Sequence, residues 1–122
     1  MNYVEMFAIP CVCMCLDIVT GYIAAAYNGK VDSTTMGKGL WKKLSEIAAM
    51  VVSIICEFAL SVYGGGLFSI DANIPITAAV CAYLAFSEIV SCCENIGSIN
   101  PDTAAFMRDK LGISSDKLHK QD

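Results

Sequence analysis

The chain has 122 residues, of which 56% are hydrophobic and only 16% charged, so it lacks the polar side chains to cover a water-soluble domain and reads as a membrane protein. Twelve acids against eight bases give a net charge of −4. The bases fall into two clusters and form no stripe that could neutralise phosphates, which excludes nucleic acid as a partner.

The N-terminal ten residues have no basic n-region, and no small-residue cleavage site closes the apolar stretch that follows, so this segment is expected to remain as a first span over about 6–27. At 100° per residue Asp17, Thr20, Gly21, Ala24 and Asn28 fall on one side of that helix. Gly21 and Ala25 give the small-xxx-small spacing that lets helix backbones approach closely. "NGKVDSTTMGKGLWKK" (28–43) is expected to be a polar loop, with Lys30, Lys38, Lys42 and Lys43 as its basic cluster.

A second span is expected over about 44–63, with Trp41 and Tyr63 as interfacial anchors and Glu46, Ser53, Glu57 and Ser61 along one side. "GGGLFSIDAN" (64–73) reads as a turn between helices, with Gly64, Gly65 and Gly66 at its start. The third span, over about 74–96, carries Ser87, Glu88, Ser91, Glu94 and Asn95 within about one third of its circumference. Beyond it, "NPDTAAFMRDKLG" has the signals of a short helix over about 101–111: Asn100 as cap, Pro101 first, bases late and Gly112 as the stop. Ala104, Met107 and Leu111 share a weakly apolar face that suits either the membrane surface or a solvated tail.

The expected fold is therefore an all-α integral membrane protein: a three-span membrane domain over 1–97, and a cytoplasmic tail over 98–122 with one short helix. Every Lys and Arg lies in the first loop or the tail, so the positive-inside rule places both in the cytoplasm and the N-terminus outside.

An acid in an apolar medium costs several kcal/mol or more unless paired, hydrogen-bonded or neutralised. No Lys, Arg or His lies within the expected spans, so Asp17, Glu57 and Glu88 must rely on hydroxyl and amide partners, on protonation or on water. A three-span chain offers little interior for three polar stripes, which favours a homo-oligomer with the stripes at helix contacts or facing an aqueous lumen. The alternative is that the acids are protonated hydrogen-bonding contacts and nothing passes.

The seven cysteines form no CxxC pair and sit in apolar runs, as small hydrophobes do. There is no nucleophile elbow, no base within the spans and no phosphate-binding loop, so no catalytic site, metal site or cofactor is expected.

"DIVTGYIAAAYNGKVDSTTMGKGLWKK" (17–43) and "SEIVSCCENIG" (87–97) resemble the phage-lysis and toxin-secretion holin family. The residues that carry the resemblance are Asp17, Gly21, Ala25, Ser33, Gly39, Lys42 and Lys43, then Glu88, Ser91, Glu94, Asn95 and Gly97. After Gly97 the pattern departs, with Ile99 and Asn100 before the retained Pro101. The resemblance implies a holin: a homo-oligomer in the lipid bilayer of the bacterial cytoplasmic membrane that opens pores or lesions through which an endolysin or a large toxin leaves. Two other classes compete. An antiholin or accessory membrane subunit would assemble without opening, and a small proton-coupled transporter of similar length would use an embedded acid but needs four spans.

Overall fold

The computed structural model describes residues 2–68 and 75–112. The protein is all-α, with three apolar helices of membrane-spanning length, a shorter C-terminal helix, and no strand among the described residues. Helix α1 (Tyr3–Tyr27) has 25 residues and so extends about 38 Å at 1.5 Å per residue, enough to cross a hydrocarbon core of about 30 Å. It starts earlier than its apolar run because the Asn2 side chain accepts from the Glu5 backbone N–H at 2.8 Å. Pro10 lies inside it and is buried, a position that costs one backbone hydrogen bond and is tolerated in apolar helices of this kind. The helix ends in a Schellman motif. Gly29 takes φ +67, its N–H reaches Ala26 O at 3.2 Å, and the Lys30 N–H reaches Ala25 O at 2.8 Å.

Helix α2 (Ser33–Ala59) corrects the expected loop over 28–43, because residues 33–43 are helical and only 28–32 connect α1 to α2. Asp32 sets this start: its carboxylate accepts from the Thr34 N–H at 3.1 Å and from the Thr35 N–H at 3.3 Å. The Thr35 hydroxyl donates to it as well, at 2.7 Å. The Thr35 hydroxyl first, and then the Thr34 amide, hold the Asp32 carboxyl below the usual carboxylate range. An apolar run marks which residues suit hydrocarbon, whereas a cap decides where the backbone begins to coil. Gly37 and Gly39 are tolerated inside the helix because their cost of about 1 kcal/mol each is spread over 27 residues of continuous hydrogen bonding.

A second correction concerns the triple glycine. Gly64, Gly65 and Gly66 lie in a π-helical segment (Leu60–Phe68) that continues α2 and does not turn there. Residues 69–73 of that expected turn lie outside the described residues. Helix α3 (Ile76–Gly97) has 22 residues and extends about 33 Å. Helix α4 (Pro101–Leu111) is capped by the Asn100 side chain, which accepts from the Thr103 N–H at 3.2 Å, and stops at Gly112 with φ +71.

Contacts divide the chain into two compact units, one of Met1–Val12 with Asp32–Phe86 and the other of Cys13–Val31 with Ser87–Asp122. In the first, Met50 and Thr77 are among the most buried side chains, while Val51, Val52, Ile55 and Phe58 of α2 face outward. In the second, Met14, Ala24, Glu88, Cys93 and Ala104 are buried, and Leu16, Val19, Ile23 and Tyr27 face outward. A Cβ on Gly97 would lie 3.3 Å from Ala104, so the absence of one lets the start of α4 pack closely on the end of α3. Large apolar side chains thus cover the outside of each span, as hydrocarbon requires and water does not.

Candidate functional site: the polar seams of the spans

In the second unit α1 and α3 meet through their polar sides. The Asn95 side-chain amide donates to Asp17 Oδ1 and to Thr20 Oγ1, each at 3.0 Å, and approaches the Asp17 carbonyl at 3.3 Å. The Thr20 hydroxyl, having accepted from Asn95, spends its own proton on α1, 2.8 Å from Leu16 O and 3.2 Å from Asp17 O. The direction of every bond is therefore consistent with an amide that gives both of its protons to α1.

Gly21 lies beside this contact: a Cβ there would be in ordinary van der Waals contact with Asn95, 3.5 Å from its Nδ2 and 4.0 Å from its Cγ. Ala25, one turn further on, is half-buried. Asn28, which shares that side of α1, is exposed, and its amide turns back to Ala24 O at 2.9 Å. On α3, Glu88 is only 1% exposed, Ser87 and Ser91 are half-buried, and Glu94 is exposed.

In the first unit the polar side of α2 divides. Ser53 is 3% exposed and its hydroxyl donates to Met50 O at 2.6 Å. Glu57 is half-buried and accepts from the backbone N–H of Thr77 at 3.2 Å, so a side chain of α2 serves the first turn of α3. Ser61 does not join them. It is exposed, and its hydroxyl donates to Phe58 O at 2.7 Å. Glu46 is 8% exposed and lies 3.8 Å from the Lys42 ammonium, a helical i,i+4 pair.

The basic cluster departs from its expected setting. Lys38, Lys42 and Lys43 stand on α2 and not in a loop, because Asp32 starts the helix ahead of them. Lys38 and Lys42 are exposed, whereas Lys43 is 8% exposed. A lysine can bury its four-carbon stem along a helix in this way.

Two features of the site have no counterpart in the sequence reasoning. Thr77 is fully buried, with its N–H on Glu57 and its Oγ1 without a hydrogen-bond partner among the described residues. The usable signal was Pro75, which places Thr77 in a helix's first turn, where backbone N–H groups need acceptors from elsewhere. The second feature is intrachain burial. A single chain holds Glu88, Ser53 and Glu46 at 1%, 3% and 8% exposure while Asn28, Ser61 and Glu94 stay exposed, so the little interior of three spans covers part of each polar stripe.

The cysteines are all free; Cys13, Cys81 and Cys93 are buried, while Cys15 and Cys56 are exposed. Among the described residues no group of three or more His, Cys, Asp or Glu side chains is placed to hold a metal ion.

No curated protein and no solved structure matches the chain. The model of the bacteriophage holin family matches residues 2–116, which takes in all three apolar helices, both polar seams and α4. With that coverage, and with acid-bearing helices of spanning length, the chain belongs to the bacteriophage holin family.

Proposed function

We propose that this multi-pass membrane protein is a holin that self-associates in the bacterial cytoplasmic membrane and opens pores or lesions there. An endolysin, or a large toxin, is the cargo such an opening would release. Holins are not enzymes, and their work is done by assembly in the bilayer. The observation that carries the reading is the family match over residues 2–116, joined to a polar seam of Asp17, Thr20 and Asn95 inside helices whose outer surfaces are apolar. Helices of this kind can sit in lipid with their polar sides covered, and can line water if those sides are uncovered.

The orientation favoured by the charges is N-terminus outside and C-terminus inside. Lys30, Lys38, Lys42 and Lys43 near the start of α2 and Arg108 and Lys110 on α4 then face the cytoplasm together.

Induced expression in a bacterium, with membrane potential and release of a cytoplasmic enzyme followed together, tests the function. Abrupt depolarisation accompanied by enzyme release is expected. Depolarisation without release would mean a small pore. Neither would turn the assignment to an antiholin or accessory subunit, a reading supported by how completely one chain covers Glu88.

A further inference from the structure

We infer that α4 is an interfacial anchor, which lays Phe106, Met107 and Leu111 into the headgroup boundary of the leaflet at which α3 ends. The inference goes beyond the holin reading and needs only that α3 spans the bilayer.

The connection from α3 decides where α4 lies. At about 33 Å, α3 is just longer than a hydrocarbon core of about 30 Å, so its last turn reaches the membrane surface. Only residues 98–100 separate it from α4, and they are held in a turn, with the Ile99 N–H on Ile96 O at 3.0 Å and the Asn100 N–H on the same oxygen at 2.7 Å. Ala104 is fully buried, and a Cβ on Gly97 would lie 3.3 Å from that of Ala104. Helix α4 is therefore held beside the end of a span, where lipid headgroups lie against any side that protein leaves open.

The chemistry of its sides then assigns them. Ala104 and Arg108 share the side on α3: Arg108 is half-buried, turns its Nε to Ala104 O at 3.3 Å, and its charge acts on Cys93 of α3. At 100° per residue the next arc, of about 140°, holds Leu111, Met107, Thr103, Lys110 and Phe106 and contains no acid. Phe106 is 63% exposed and Leu111 45%. The remaining arc holds Asp102, Ala105 and Asp109, all exposed, and suits water. Lys110 does not spoil the apolar arc. Its ammonium lies 5.5 Å from the centre of the Phe106 ring, which joins charge and ring into one unit with a polar end for the phosphates and an aromatic body for the layer beneath them. Aromatic and aliphatic side chains with a lysine among them, opposite an acidic side, are what a helix lying in the membrane surface requires. Anchored in this way, α4 fixes the depth of the turn of α3 that carries Asn95.

The test uses full-length protein in vesicles of phosphatidylethanolamine and phosphatidylglycerol. Trp41 is the single tryptophan of the chain, so W41F combined with F106W moves the reporter to α4. Its emission should lie to the blue of free tryptophan, should lose intensity when the lipids carry bromine on the acyl chain near the headgroup, and should resist acrylamide present on both sides of the membrane. Quenching by acrylamide with none by brominated lipid would place α4 in water and overturn the anchor. Resistance to both quenchers would place residue 106 in a contact between copies and would overturn it too. A second measurement keeps Phe106 and Trp41. Single cysteines, Thr103→Cys, Ala105→Cys and Asp109→Cys, are placed in a chain whose seven native cysteines are replaced, and are reacted with a water-soluble maleimide on open membrane sheets. All three positions are exposed in the chain itself, so slow reaction at 103 beside fast reaction at 105 and 109 reports lipid on the first side alone. Equal rates at the three would overturn the anchor. Neither readout depends on opening, so a chain that passes both and never permeabilises a membrane would lose the holin reading and keep the anchor.

Discussion

Glu57 on α2 accepts a hydrogen bond at 3.2 Å from the backbone N–H of Thr77, 20 residues away in the first turn of α3. The first four N–H groups of a helix have no partner within it, and their combined dipoles favour negative charge nearby. An acid that looks, in one dimension, like a member of a pore-lining stripe thus has a structural task in three. It ties the far end of α2 to the start of the next span.

Replacing Glu57 should separate these two roles. Glu57→Gln keeps an acceptor for the Thr77 amide, while Glu57→Leu removes it and should cost about 1–2 kcal/mol, the usual range for loss of a helix cap. Unfolding in mixed micelles with increasing SDS measures the difference. A Leu variant as stable as the parent would mean that the Thr77 N–H is satisfied some other way.

Gly21 should respond to side-chain size in a graded manner. A methyl group there would sit in ordinary contact with Asn95, at 3.5 Å, so Gly21→Ala should leave the seam formed. Gly21→Leu should push α3 away and separate Asn95 from Asp17, lowering the yield of crosslinked oligomer and altering the time of permeabilisation. Equal behaviour of Leu and Ala would show that the seam gives way without loss.

Glu88 is 1% exposed, and its substitutions are expected to divide function from assembly. Glu88→Gln keeps hydrogen-bonding capacity and should insert and oligomerise normally while changing when, or whether, the membrane opens. Glu88→Leu removes the polar contact and should impair assembly too. Lysis time and crosslinked oligomer, compared at matched membrane abundance, report the two separately. If both variants match the parent, Glu88 has no part in either process.

Asp32 should make the start of α2 sensitive to acid. Its carboxyl is held below the usual range by Thr35 and Thr34, so the folded form gains from the charged state. That gain is fully present above the unfolded value of about 3.9 and is lost as pH falls through the lower folded value. Amide exchange at Thr34 and Thr35 should therefore stay slow at neutral pH, and protection relative to a free peptide should fall once the medium drops below about pH 4. Asp32→Ala should show the unprotected behaviour at every pH.

Topology can be read by labelling single cysteines placed at Asn2 and Lys38 in a cysteine-free chain. A membrane-impermeant reagent added to intact cells should modify position 2 and spare position 38, since basic residues are retained on the cytoplasmic side. The reverse pattern would invert the chain.

Much of the architecture was legible because it is local chemistry. Three apolar runs long enough to span a bilayer declare themselves by length, and the C-terminal helix is announced by Asn100, Pro101 and Gly112, each acting within a turn of its own position. The polar sides of α1 and α3 were legible as well, because helical periodicity alone collects Asp17, Thr20 and Gly21, and separately Ser91 and Asn95.

What periodicity cannot say is which polar side meets which. The bonds from Asn95 to Asp17 and Thr20 join residues 78 and 75 positions apart, and only tertiary packing selects them over contacts with another chain. The onset of α2 was missed for a different reason. Glycines and lysines over 28–43 resemble a loop in composition, yet a single side chain, Asp32, is enough to begin the helix at Ser33. Likewise three successive glycines suggest a turn, but a backbone relieved of Cβ atoms also adapts to the wider π-helical coil seen over Leu60–Phe68.

The 78-residue separation of Asp17 and Asn95 also has a consequence for how the protein is made. Translation at roughly 5–20 residues per second leaves about 4–16 s between synthesis of the two ends of the seam. Throughout that interval α1 is already apolar enough to enter the bilayer, while the amide that will close on it does not yet exist. The α1–α3 seam therefore closes only after the last span has been made, and for those seconds α1 holds Asp17 and Thr20 ready for an amide that arrives last.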